Sequence, residues 1–114
     1  VNRLPDYLRH IIEAIRRIED YTAGMDRDGF LASAITQDAV IRNIEIIGEA
    51  GRSITKNHPD FATRNPHLRL DAAYKMRNAV SHGYFAVDLS IVWSTISDDL
   101  KKLSRDVQIL IDST

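Results

Sequence analysis

A chain of 114 residues, 44% of them apolar and 27% charged, is one domain's worth of protein with material for a small core. It has no cysteine, which excludes disulfides and thiolate metal sites, and no apolar run near the ~20 residues of a membrane span. A net charge of −1 argues against holding nucleic acid by bulk charge, the opening Val1-Asn2-Arg3-Leu4-Pro5-Asp6 has no apolar signal core, and with no cysteine a cytoplasmic protein without membrane attachment is expected.

The first predicted helix runs from Pro5 to about Tyr21, with proline in the first turn where its missing N–H costs nothing. Leu8, Ile11, Ile12, Ile15 and Ile18 make one stripe, opposite Arg9, Glu13, Arg16, Arg17 and Asp20, and Gly24 ends the helix. One short extra helical turn is expected around Phe30 and Leu31. The second main helix spans about Ile35 to Lys56. Its stripe of Val40, Ile44, Ile47, Gly51 and Ile54 is widened by Ile41, Ile46, Gly48 and Ala50. A helix apolar around so much of its circumference needs two partners. The second is either another part of the same bundle or another subunit. The remaining charged stripe, Arg42, Glu45, Glu49 and Arg52, reads as a solvated row of ion pairs rather than as bridging carboxylates.

Residues 57–69 carry Pro59 and Pro66 and are expected to form a long polar connection. His58 and His67 flank these prolines without the spacing of a metal site, and His10 falls on the polar face of the first helix. The third main helix is short, about Leu70 to Ser81, with Ala72, Ala73, Met76, Ala79 and Val80 inward, and Gly83 supplies a stop. The fourth begins at an Asp88 N-cap and runs to about Ile111 on a stripe of Leu89, Val92, Trp93, Ile96, Leu100, Leu103, Val107 and Leu110. No window alternates as a strand. The fold class is therefore all-α, an up-and-down bundle of four main helices and one short extra helix, forming a single domain over 1–114.

Charge is distributed unevenly. Between residues 52 and 77, Arg52, Lys56, Arg64, Arg69, Lys75 and Arg77 face only Asp60 and Asp71, an excess of four positive charges that suits a phosphate backbone or a solvated loop. Arg64, Arg69 and Lys75 are the candidate RNA contacts. Immediately after them, Met76-Arg77-Asn78-Ala79-Val80-Ser81-His82-Gly83-Tyr84-Phe85 gathers a permanent cation, an amide, an imidazole and a phenol. Arginine can donate to two phosphate oxygens at once, and histidine exchanges a proton near neutrality. Together they match metal-free RNA cleavage, which needs a base for the 2′-OH, an acid for the leaving 5′-oxygen and a cation for the phosphorane. Five helical steps separate Arg77 from His82 by about 140°, so a shared phosphate requires a helix break near Ser81–Gly83 or two subunits. The plainer alternative is that Arg77 and His82 bond carbonyls at a helix end while Tyr84 packs beside Phe85.

The arginine, four spacers, histidine, one spacer and tyrosine of this segment, continued by Val87-Asp88, resemble the signature of HepT-like proteins of the HEPN superfamily. The likeness extends to Ile11-Ile12-Glu13-Ala14-Ile15, to Arg42-Asn43-Ile44-Glu45-Ile46-Ile47-Gly48-Glu49-Ala50, to His58-Pro59-Asp60 and to Ile91-Val92-Trp93. It departs at Leu70, where the family usually has tryptophan. The resemblance implies a HEPN-like bundle acting as a homodimeric, metal-independent endoribonuclease on tRNA or mRNA, with no cofactor. It implies the toxin half of a type II toxin–antitoxin pair whose minimal nucleotidyltransferase attaches AMP to the motif tyrosine, Tyr84. It gives Arg77 and His82 catalytic roles and Asn78 a supporting polar one. The rival is a non-catalytic HEPN-type dimer that binds a nucleotidyltransferase or a nucleotide.

Overall fold

A computed structural model describes residues 2–82 and 88–113, the side chains of 81 and 82 excepted. Its elements are α1 (Leu4–Thr22), α2 (Arg27–Leu31), α3 (Ala34–Asn57), α4 (Pro59–Arg64), a 3-10 turn (Pro66–Leu68), α5 (Leu70–His82), α6 (Leu89–Ser94), a π-helical turn (Thr95–Asp99) and α7 (Leu100–Asp112). Every regular element among the described residues is helical, as the periodicity predicts. None of these helices is long and apolar enough to cross a membrane.

Local chemistry sets the helix ends. Gly24 takes the left-handed conformation, φ 77°, that lets the chain turn after α1. Asp26 accepts from the Gly29 N–H at 2.7 Å and Ser33 from the Thr36 N–H at 3.3 Å, capping α2 and α3. The short α2 is held from both sides. Phe30 is fully buried with its ring 5.4 Å from that of Trp93, and the Gln37 amide donates to the Phe30 and Leu31 carbonyls.

The central element is α3, packed between α1 and α5 with α2 and α4 at its flanks. Val40, Ile44, Ile47 and Ile54 are buried in one core with the stripe of α1, and Gly48, Ala50 and Gly51 are buried as well. The breadth of apolar surface on α3 is therefore taken up by the chain's own helices. A second subunit is not needed to explain it.

Three expectations need correction. The expected loop at 57–69 contains α4 and a 3-10 turn, because Pro59 and Pro66 each open a short helix at a position that tolerates a missing N–H, while Leu68 is buried and Phe61 and Ala62 pack against the core. Ala79, expected inward, is exposed; it lies at the edge of the arc set by Ala73, Met76 and Val80. The last helix is also interrupted. In its π turn the Leu100 N–H donates to the Thr95 carbonyl, five residues back. The segment Thr95-Ile96-Ser97-Asp98-Asp99 is rich in β-branched and short polar residues that compete with helical bonding, and the Thr95 hydroxyl itself occupies the Ile91 carbonyl at 2.9 Å.

Candidate active site

The site is built where α5 crosses α3. Small residues on α3 make the close crossing possible. A Cβ placed on Gly48 would meet the Arg77 Cβ at 2.3 Å and the Ala73 carbonyl oxygen at 3.0 Å, and one on Gly51 would meet the Leu70 carbonyl oxygen at 3.2 Å. Real Cβ atoms essentially never approach within 3.0 Å of another heavy atom, so only glycine fits beneath Arg77. Leu70, at the position where the resembling family has tryptophan, is buried and packs over Gly51.

From that crossing the Arg77 side chain runs back along α3. Its Nε lies 2.9 Å from Glu49 Oε1, off the line of the N–H, so the contact is an ion pair rather than a linear hydrogen bond. Its Nη1 donates to Asn78 Oδ1 at 2.9 Å. The Arg77 side chain is 26% exposed and that of Glu49 51%, which leaves the pair at the surface with the arginine the more enclosed partner. A guanidinium has five N–H donors, so these two contacts leave others that can meet an anion. One turn along, Arg52 donates to the Tyr74 hydroxyl at 3.1 Å and lies 5.2 Å from the centre of its ring. The α3–α5 seam thus carries two cross-helix contacts, Glu49–Arg77 and Arg52–Tyr74. The ion-pair row expected along α3 alone is replaced, for Glu49 and Arg52, by contacts to α5.

Of the expected site residues, Arg77 and Asn78 are brought together. The helix α5 continues unbroken through His82, so a break before the histidine is excluded. The His82 side chain and the whole of Tyr84 lie outside the described residues. Arg64, Arg69 and Lys75 are all exposed: Arg64 ends α4, Arg69 lines a cleft of about 280 Å³ between α3, α5 and α7, and Lys75 lines a groove that shares Ala72 and Met76 with that cleft. Arg69 adopts φ 52°, an uncommon conformation for a residue with a side chain, at the joint between the 3-10 turn and α5. His10 is exposed, and its ring and that of His58 meet Tyr7 edge-on at 6.5 and 6.2 Å. Among the described residues no group of three or more His, Asp or Glu could hold a metal.

The sequence did not show that Glu49 and Gly48 meet Arg77. Arg42 and Arg52 lie at ion-pairing spacing from the glutamates on the same helix, and only the crossing of α5 supplies Glu49 with a different partner.

The ribonuclease HepT-like family profile matches residues 11–110, which include the whole seam and the motif segment. A protein of Methanocaldococcus jannaschii named "Gamma-glutamylcyclotransferase and putative RNase" is 41% identical over 102 residues, covering 89% of this chain but 44% of that longer relative. A Thermococcus cleftensis protein named "Probable ribonuclease HepT" is 40% identical over 98 residues, 86% of each chain. A further M. jannaschii protein with an RNase name is 31% identical over 104 residues, 91% of this chain and 93% of its own. No solved structure is a significant match.

Proposed function

The chain belongs to the ribonuclease HepT-like family, and we propose that it is an endoribonuclease that cuts RNA by 2′-OH attack at a site built around Arg77. The observation that carries this reading is the arginine itself. It stands at the first position of the motif, anchored at Nε by Glu49 and at Nη1 by Asn78, with donors remaining for a scissile phosphate.

In this mechanism Arg77 offsets the charge that builds on the phosphorane, and Asn78 keeps the guanidinium from rotating. His82 moves the proton between the 2′-OH and the leaving 5′-oxygen. The reaction needs no metal ion, since cation, proton carrier and orienting amide come from the chain, and it leaves a 2′,3′-cyclic phosphate. Arg64, Arg69 and Lys75 contact the RNA backbone outside the cleavage position. Two copies of the chain bring their motifs to one cleft, and activity is controlled as a toxin is by its antitoxin: a minimal nucleotidyltransferase attaches AMP to Tyr84, placing a phosphodiester where Arg77 would otherwise meet RNA.

The test is cleavage of end-labelled tRNA and mRNA in excess chelator by wild type, Arg77→Ala and His82→Ala. Wild type should cut and leave cyclic phosphate ends, and each variant should lose most activity with unchanged helical content. A strict requirement for added Mg²⁺, or full activity in His82→Ala, overturns the mechanism. Failure of wild type to cut either RNA, together with stable binding of a nucleotidyltransferase, would make the chain the non-catalytic dimer instead.

A further inference from the structure

We infer that Gly48 and Glu49 form a positioning device for Arg77: glycine admits α5 to within contact of α3, and the carboxylate fixes the guanidinium that emerges there. The inference deepens the reading of Arg77 as the phosphate contact and rests on it. Three measurements converge on one side chain. A Cβ at Gly48 would lie 2.3 Å from the Arg77 Cβ and 2.9 Å from its Cγ, so the stem of the arginine sits directly on the glycine. Glu49, the next residue on α3, reaches Nε at 2.9 Å. Asn78, the next residue on α5, holds Nη1 at 2.9 Å. Stem, Nε and Nη1 are each constrained by a different residue, two of them from α3.

A half-exposed ion pair adds little to folding stability, so stability alone does not account for the contact. Its geometry accounts for it better. An arginine side chain has four rotatable bonds, and a free one would have to be ordered each time a phosphate arrived. Held at the stem and at Nε, it presents its remaining donors already aligned, the arrangement that favours a transition state over a ground state. The carboxylate also sets a sign. Because Glu49 partly offsets the Arg77 charge, removing it should not weaken ground-state attraction of RNA. Loss of Glu49 should therefore appear in kcat rather than as a raised KM. A residue that merely supported the fold would reduce the fraction of active protein and would not alter the Arg77 side chain in the remainder.

Glu49→Gln keeps the shape and removes the charge; Gly48→Ala adds one methyl under the arginine. Both are compared with wild type, Arg77→Ala and Arg77→Lys for RNA cleavage, and with wild type by NMR of the arginine Nε–H groups, the Arg77 signal being assigned by its absence from Arg77→Lys. Glu49→Gln should lower kcat at least about tenfold with KM unchanged or lower and shift the Arg77 Nε signal. Gly48→Ala should lower kcat by about a hundredfold, as displacement of a reacting group by ~1 Å does. In the Arg77→Lys background, Glu49→Gln should cost little more. Wild-type kinetics and an unmoved Arg77 signal in Glu49→Gln overturn the positioning role, and so does full additivity with Arg77→Lys. Loss of the acid limb of the pH–rate profile in Glu49→Gln also overturns it, by making Glu49 a proton-transfer group. Should Gly48→Ala fail to fold, Glu49→Gln alone carries the test. The two readings fail separately: a fully active Arg77→Ala removes Arg77 from the chemistry, whereas an inactive Arg77→Ala beside a fully active Glu49→Gln removes only the positioning role.

Discussion

In the proposed mechanism Arg77 meets a phosphate, and in the structure its guanidinium is contacted by Glu49 of α3 and Asn78 of α5. Lysine in its place would keep the charge but lose the planar fork, Nε and the bond to Asn78 through Nη1. Arg77→Lys should therefore lose at least about tenfold in RNA cleavage while retaining much of its RNA affinity, measured by filter binding at one fixed salt concentration. The arginine and its amide neighbour stand side by side in the motif, so their proximity was legible in the sequence. Glu49 was hidden by its own helix, where Arg52 three residues on offered a nearer partner. Gly48 was read as one more small residue on a broad apolar face, since a close approach between helices leaves no mark at the position that permits it until both helices are placed.

Element boundaries follow local signals more faithfully than side-chain partnerships do. Asp88 caps the helix it was expected to start, and α5 runs to His82, one residue past the expected Ser81. Asp88 accepts from the Ser90 and Ile91 N–H groups at 2.9 and 3.3 Å, so it starts the final helix. Asp88→Ala should cost about 1 kcal/mol. In thermal unfolding that is a Tm lower by about 5 °C for a domain of this size, and an unchanged Tm would mean the helix start is fixed by packing instead. Besides the 3-10 turn at Pro66–Leu68, two elements escaped the sequence. The α4 segment has only six residues, too few to show a helical period, and its prolines read equally well as loop punctuation. The π turn leaves the apolar stripe of the last helix almost unchanged, so periodicity could not reveal it.

At the scale of the molecule, the chain folds α1, α3 and α5 into a layered bundle and lays the final helix across α2 and α1. The broad face of α3 no longer argues for a second subunit, since the chain's own helices cover it. Helix α5 carries the motif arginine and histidine positions five residues, or about 140°, apart, and the proposed dimer would supply the second motif that this spacing calls for. Sedimentation should show a dimer at micromolar concentration, and specific activity should fall on dilution below it. A monomer whose specific activity is independent of concentration would rule out the shared site. Control at Tyr84 is tested separately: Tyr84→Phe should keep much of the nuclease activity yet escape silencing by the nucleotidyltransferase and ATP, with mass spectrometry placing AMP on Tyr84 in wild type. The π turn also gives this architecture a mechanical joint. On one side α6 packs against α2, on the other α7 packs against α1, and between them the backbone is held by wider-spaced bonds such as Leu100 N–H to Thr95 O. Such a joint can open without releasing either flank. Amide protons at 95–100 should then exchange with solvent through local opening, nearly insensitive to low denaturant, although Thr95, Ile96 and Leu100 are buried. Those in the middle of α3 should exchange only when the whole molecule unfolds.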